Sequence, residues 1–384
     1  MRILFVLAAT LTFVAVARSM AWSQSNKQVR PSIHDSLDHK LDMSDLLIEA
    51  NGFIPVPILV TEPALGGFGL GVAPVFIKRR APAVDRKGKS LRIPPDVTGG
   101  AALYTINNSW TGLIFRQGTW LKARSKYRVG GGYANINMKF YRTASTGAET
   151  STEFNLRTTP VTGSLLKRFG SSPWSAGLEY TFLNTRVSAE GTGLPDFVRD
   201  REINSKVSMP GLILEFDSRD NIFTPNSGIR TQVNVSFSDD GFGSDYNYEN
   251  LTAFFYGYIQ MADNVVTGLR YELQQVFGDV PFYLKPYIEL RGLPIARYQG
   301  TISSVGEVEV RWDVVPRWSA VAFAGTGKAY DSWNDFDDAN WAVSGGAGVR
   351  YLIARKFKVR MGLDLARGPE QWAYYIVFGS SWLR

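Results

Sequence analysis

From Phe53 to the C-terminus the chain alternates apolar and polar residues with a period of two. In "FKVRMGLDLAR", Phe357, Val359, Met361, Leu363 and Leu365 interleave with Lys358, Arg360, Gly362, Asp364 and Ala366. "EVEVRWDV" sets Val308, Val310, Trp312 and Val314 against Glu307, Glu309, Arg311 and Asp313. "IRTQVNVSFS" sets Thr231, Val233, Val235 and Phe237 against Arg230, Gln232, Asn234 and Ser236. "WAYYIVFGSSW" sets Trp372, Tyr374, Ile376, Phe378 and Trp382 against Ala373, Tyr375, Val377, Gly379 and Ser381. Strand side chains point alternately to opposite faces, so each run reads as a strand with one apolar, aromatic face and one polar or small face. Soluble sandwiches alternate too, but their strands average ~5–6 residues, and many runs here are longer. Trp174, Trp318, Trp341 and Trp372 fall at the ends of runs, where a membrane interface favours amphipathic rings. A bilayer-crossing strand needs ~9–11 residues and a closed sheet, because lipid cannot hydrogen-bond an open edge. The pattern therefore predicts an all-β fold: a transmembrane antiparallel β-barrel, apolar outward and polar inward.

Strands are expected over 68–79, 98–107, 110–121, 126–141, 152–168, 174–188, 206–217, 228–239, 247–261, 264–277, 284–290, 303–315, 317–329, 340–353, 357–367 and 371–383, sixteen in all. Residues 53–62 are the alternative to 284–290, since Pro55 and Pro57 favour an edge or an extended lead-in. Ahead of the barrel, Arg2 and the apolar run Ile3 to Val16, followed by Ser19-Met20-Ala21, read as a signal peptide over residues 1–21. Residues 22–52 are an N-terminal periplasmic segment, and 53–384 the barrel. Within that segment Ser36 to Ala50 is expected as a short helix, capped by Ser36 with Leu37, Leu41, Leu47 and Ile48 on its apolar side. It is either a tethered helix or one lying in or under the barrel.

Composition narrows the function classes. The formal charge of +7 is spread along the chain, and removal of Arg2 and Arg18 leaves +5, so nucleic-acid binding has no footprint. Zero Cys in an exported chain excludes a disulfide framework and thiol catalysis together. Both histidines, His34 and His39, precede the barrel, which leaves no Ser-His-Asp triad inside it and no metal set. The glycine-rich pieces Gly66–Gly71, Gly130–Gly132 and Gly345–Gly348 lack a following helix, the P-loop lysine and a dinucleotide fold's acid. No catalytic residue, cofactor or metal is expected, and the chain is not read as an enzyme.

Two stretches carry more information. "DSRDNIFTPNSGIR" (Asp217 to Arg230) lies between two strands; Pro225 suits a first turn corner and Gly228 a positive-φ position. Arg219 in its middle opposes a cation, so it reads as a periplasm-facing turn rather than a calcium loop. The 25 residues from Gly278 to Ile302 form a connection too long to be idle, and contain "LRGLP" with Arg291 next to Gly292. "LRGLP" resembles the (V/I)RG(F/Y) tip of the long sixth extracellular loop in the BamA/TamA family of outer-membrane assembly factors, also called bacterial surface antigens. "DSRDNIFTPNSG" resembles the same family's D-x-R-D-N-x-x-x-P-x-x-G turn, carried here by Asp217, Arg219, Asp220, Asn221, Pro225 and Gly228. "GEVEVR" resembles its Glu-x-Arg strand, and "AVAFAGTG" its F-x-D-x-G strand. The motif resemblance covers roughly residues 205–384.

That resemblance implies a sixteen-stranded barrel whose long loop folds back into the lumen. Arg291 would pair with inward acids of the next two strands: Glu309, which matches the family's Glu, with Glu307 and Asp313, beside Phe323. Gly325 stands where the family's Asp would be, and Leu293 replaces the aromatic after Arg-Gly. The short N-terminal segment implies a member without POTRA domains. Phe378 and Trp382 resemble the C-terminal aromatic signal of outer-membrane barrels. The function implied is assistance to outer-membrane protein insertion or translocation in the bacterial outer membrane. Its partners would be lipid and lipopolysaccharide, a protein client or accessory protein, or a second copy in a homodimer, without nucleic acid. The rival readings are a passive or plugged channel and a structural, partner-binding barrel.

Overall fold

Period-two alternation becomes a single meander of sixteen strands in the computed structural model, which describes residues 32–45, 52–78, 83–84, 90–91, 96–120, 123–143, 149–189, 198 and 203–382. The expected signal peptide lies outside the described residues. In chain order the strands are β1 (Gly52–Val60), β2 (Gly69–Lys78), β3 (Asp96–Thr105), β4 (Trp110–Trp120), β5 (Ser125–Thr143), β6 (Glu149–Arg168), β7 (Trp174–Ala189) and β8 (Asn204–Asp217). They continue as β9 (Gly228–Ser238), β10 (Tyr248–Ala262), β11 (Val265–Gly278), β12 (Ile302–Val315), β13 (Trp318–Tyr330), β14 (Ala342–Ala354), β15 (Val359–Arg367) and β16 (Trp372–Phe378). Each pairs antiparallel with its neighbours in sequence, so the ladders run on from strand to strand without crossing connections. An even number of strands brings both ends of the barrel to one rim, here called the terminal rim; the opposite rim carries the 279–301 loop.

The apolar face points out. Val308, Val310, Trp312 and Val314 of β12 are exposed while Glu307 and Arg311 are buried, and on β15 Leu363 and Leu365 are exposed around buried Asp364. Burying charge inward and exposing Leu and Val outward inverts a soluble fold; lipid is the solvent that makes it stable. Trp174, Trp318, Trp341 and Trp372 are all exposed at strand ends, the first two at the terminal rim and the last two at the loop rim, giving one aromatic level per interface.

The choice between residues 53–62 and 284–290 falls to the former: β1 covers 52–60, and 284–290 belongs to the loop. Two prolines are tolerated because β1 is an edge. It pairs with β2 along its whole length, and among the described residues no ladder joins it to β16. Only seven residues long, β16 pairs among the described residues with β15 alone. The sheet therefore curls round to meet itself at a seam without a ladder.

The expected helix from Ser36 to Ala50 is a correction within the described residues. Ser36 to Asp38 form a turn, His34 bridges Leu41, His39 takes a positive φ of 54°, and helix begins only at Ser44. Residues 46–50 lie outside the described part. What replaces the helix is an acidic strap on the terminal rim. Asp35, Asp38 and Asp42 each place a carboxylate oxygen 2.6 Å from the guanidinium of Arg317, in the β12–β13 turn. Arg355 in the β14–β15 turn also holds Asp35, and Met43 N–H donates to Ile353 O at 2.6 Å. The ion pairs to Arg317 and Arg355 hold this turn, with His39 at positive φ, in place of the helix.

Hydrogen bonds from Arg355 and the Leu37 N–H hold Asp35 well below the usual carboxylate range, and the hydrogen bond from Arg317 lowers Asp38 as well. Burial works against the charge of Asp42, but bonds from Ser44, Arg317 and the Arg355 N–H outweigh it. Depressed acids contribute their docking strength above the ordinary value of 3.8 and lose it as pH falls through the folded value. A nitroxide placed by Leu37→Cys is therefore expected to stay immobile at neutral pH and become mobile only well below pH 3.8. With Arg317→Gln it should be mobile at every pH.

Candidate functional site in the lumen and at the seam

The 279–301 loop enters the barrel because its apolar residues have a place to go there. A one-turn 3-10 helix (Phe282–Leu284) sets Phe282 edge-on to Phe140 of β5, ring centroids 5.0 Å apart. Ile288 N–H to Tyr298 O and Gly300 N–H to Pro286 O close the loop into a narrow finger. Ile288, Leu290 and Leu293 bury in one cluster with Val305 and Ala342. Leu293 thus supplies apolar bulk at the position where an aromatic was expected by resemblance.

Arg291 sits at the tip of this finger. Its Nε and Nη2 donate to Glu307 Oε1 at 2.9 and 2.5 Å, and its Nη1 lies 2.9 Å from Glu309 Oε2 and 2.7 Å from Asp364 Oδ2. The guanidinium plane also covers the Phe323 ring, 3.4 Å from its centroid. Two further arginines complete the network: Arg270 bonds Glu272 and Glu307, and Arg350 bonds both oxygens of Asp364. Three guanidiniums thus face four carboxylates. Removing charges from water is costly, and such a network is stable only when nearly every donor and lone pair is used, as here.

Of the expected clamp acids, Glu307 and Glu309 reach Arg291, whereas Asp313 does not. Asp313 lies nearer the terminal rim, bonded to Arg311, Arg360 and Ser319. The third clamp acid is Asp364 on β15, beyond the two strands to which the resemblance pointed. Gly325 has a steric reason. A Cβ there would stand 2.7 Å from Leu290 Cδ2 and 3.0 Å from Gly306 O, so the finger occupies the space that an Asp would need.

The last strand, expected over 371–383, is a second correction. Strand β16 stops at Phe378, Gly379 takes φ +76°, and the chain turns into the lumen. A residue with a Cβ is disfavoured there by both φ and the Phe223 carbonyl at 2.7 Å. Trp382 is consequently buried rather than lipid-facing. Its ring lies against Gly268, where a Cβ would be 2.7 Å away, between Tyr256 and Tyr258, with centroids 5.9 Å from each. Its Nε1 donates to Glu307 Oε2 at 2.8 Å. Ser381 Oγ accepts from Arg291 Nη1 at 3.0 Å and donates to Glu309 Oε2 at 2.9 Å. Phe378 stays at the terminal rim, edge-on to Phe223.

The Asp217–Gly228 turn closes the same end. Asp217 pairs bidentately with Arg219, and Asp220 Oδ1 accepts from the Asn226 and Ser227 N–H groups. Asn221 Oδ1 accepts from Phe223 and Thr224 N–H while its Nδ2 reaches Phe357 O on the β14–β15 turn. Gly228 has φ +101°. Beyond holding a turn, the segment reaches inward: Asn226 accepts from Arg311, Pro225 O lies 3.4 Å from the same side chain, and Phe223 O accepts from Ser380 N–H. Loop from one rim, turn and tail from the other, the three meet in the lumen.

The seam is bridged by side chains. Tyr374 OH of β16 lies 3.4 Å from Gly67 O of the β1–β2 turn. Gly292 N–H, at the finger tip, donates to Tyr375 OH of β16 at 2.9 Å. Ile295 N–H donates to Glu62 Oε1 in the β1–β2 turn at 3.2 Å. Burial lifts the Glu62 carboxyl to about 7 against these N–H bonds, with Glu289 nearby adding to the rise. Sequence reasoning missed Asp364, Ser381, Tyr375 and Glu62 as site residues. Inward alternation placed Asp364, Tyr375 and Ser381 on the lumen face without marking them as partners of Arg291; no sequence signal marked Glu62.

No family model and no curated protein matches the chain by sequence. Solved structures do match in fold. BamA from Haemophilus ducreyi lacking POTRA domains 1–3 superposes with TM-score 0.56 at 13% identity, over 85% of this chain and 69% of that one. CdiB from Acinetobacter baumannii gives 0.55 at 8% identity, over 85% of this chain and 59% of its own. CdiB from Escherichia coli gives 0.57 at 11%, over 84% and 62%. The chain thus spans about three fifths of the two CdiB chains. By fold, this sixteen-stranded antiparallel meander is a barrel similar to those of BamA and CdiB.

Proposed function

We propose that the protein resides in the bacterial outer membrane and assists the insertion or translocation of other proteins, with the seam as the working part. One observation carries this reading: loop, turn and tail enter the lumen from both rims, while the described parts of β1 and β16 share no ladder. A barrel with a blocked pore and a weak wall is suited to act through its wall. The terminal rim would then face the periplasm, and the loop rim the exterior. Its partners on this reading are the lipid around the apolar band, including lipopolysaccharide, and an unfolded strand-bearing client at the edge of β1. An exposed edge presents unpaired backbone groups to any strand that approaches it, so the reading requires no catalytic side chain and assigns none. The filled lumen weighs against a passive channel.

The test is reconstitution into liposomes followed by addition of an unfolded barrel client. Faster client folding than in protein-free liposomes is the expected result. Equal rates with and without the protein would overturn the reading.

A further inference from the structure

The finger touches both sides of the seam at once. On one side, Arg291 is bound to Asp364 of β15 and Gly292 N–H to Tyr375 OH of β16. The contact extends to the backbone: a Cβ on Gly368, in the β15–β16 turn, would lie 2.2 Å from Gly292 O. Arg297 Nε and Tyr298 OH both donate to Glu370 in the same turn, each at 2.7 Å. On the other side, Ile295 N–H bonds Glu62, which also accepts from Ala64 N–H at 3.1 Å and so fixes the β1–β2 turn. Ile295 and Ala296 are buried in the apolar cluster that holds Ile58, Val60 and Leu65 of the first hairpin. Consecutive residues of one short segment, 291–298, therefore bind the last hairpin and the first.

A ladder would hold such a seam with several backbone hydrogen bonds. In its absence the closing free energy must come from elsewhere, and the described residues place one hydrogen bond, Tyr374 to Gly67, directly across. We propose that the tip of the 279–301 loop is the fastener of the seam, holding β16 through Tyr375 and the first hairpin through Glu62, so that lateral opening requires its release from one edge. This deepens the proposed function and names the site that regulates it. A lumen finger that only plugged the pore would have no need to bond the rim of the first hairpin. A finger that only locked the lumen would stop at the Arg291 network.

The test is a distance. Because the chain has no Cys, two nitroxides attach specifically at Leu70→Cys on β2 and Leu365→Cys on β15, both outward-facing and exposed, one on each side of the seam. In the full chain in nanodiscs, pulsed electron-electron resonance is expected to give one narrow distance. Adding Glu62→Ala with Tyr375→Phe should broaden it and lengthen it by at least one strand spacing, about 5 Å. Glu62→Gln keeps an acceptor oxygen and resembles the protonated acid, so it should leave the distance unchanged. A control pair on the opposite wall, Leu178→Cys on β7 and Val233→Cys on β9, should be unaffected by any of these changes. An unchanged seam distance in the double variant would overturn the proposal. So would equal broadening of both pairs, since the contacts would then support the barrel in general. The readout needs no client: a barrel that inserts nothing yet opens at the seam refutes the proposed function alone.

Discussion

Replacing Arg291 with methionine is expected to destabilise the barrel by about 3–5 kcal/mol, the range for removing one partner of a buried ion pair. The side chain is of similar length, so what is lost is the charge and its forked donors. Glu307 keeps Arg270, and Asp364 keeps Arg350, but Glu309 is left with the Ser381 hydroxyl and no guanidinium of the network. The four carboxylates then face two guanidiniums in a space that excludes water. Relief comes by expelling the finger, so chymotrypsin should begin to cut at Tyr283, Tyr287 and Tyr298, which the wild type protects. Arg291→Lys tests whether geometry matters as well as charge. An ammonium cannot engage Glu307 with two parallel donors while stacking on Phe323, so an intermediate loss is expected. Urea unfolding in detergent reads the stability, and undiminished protease protection in Arg291→Met would sink the clamp.

Trp382→Ala is expected to cost a similar amount, about 3–5 kcal/mol, because a large ring leaves a cavity between Tyr256, Tyr258 and Gly268. The tail's other anchors are hydrogen bonds alone: Gly379 N–H to Arg360 O, Ser380 N–H to Phe223 O, the Ser380 hydroxyl with Tyr258 OH, and the Ser381 hydroxyl. Without the ring it should leave the lumen. Carboxypeptidase would then trim the variant past residue 380, whereas the wild type should resist at Trp382. Trp382→Phe separates packing from hydrogen bonding. It keeps most of the ring and loses only the Nε1 donor to Glu307, a change expected to cost about 1 kcal/mol. Equal trimming of wild type and Trp382→Ala would contradict a lumen-bound tail.

The barrel was legible because strand alternation is a local signal, repeated sixteen times. Its limits are equally physical. Pro55 and Pro57 obey the local rule against central strands, and β1 exists because it is an edge. The alternation in "WAYYIVFGSSW" continues smoothly through Trp382, so it reads as strand to the end; only the positive φ at Gly379 breaks it, and a glycine in a strand does not announce that. Leu37, Leu41, Leu47 and Ile48 follow a helix pattern, while the residue that holds Asp35, Asp38 and Asp42 together, Arg317, is about 280 positions away in sequence. The clamp arginine was marked by its motif, and Glu307 and Glu309 by their inward register. Asp364 required the curvature of the sheet, which brings β15 opposite the finger tip. Gly325 was visible as a departure, yet its cause, the Leu290 side chain, lies on another segment.

The central claim is that loop, turn and tail meet inside the lumen and block it, and that the wall yields at the seam, where the described parts of β1 and β16 share no ladder. Planar-bilayer recording of the purified full chain tests this most directly. A near-closed trace with brief, irregular openings is the expected result, and Trp382→Ala and Arg291→Met should lengthen those openings. A steady ohmic conductance in the wild type would contradict the account.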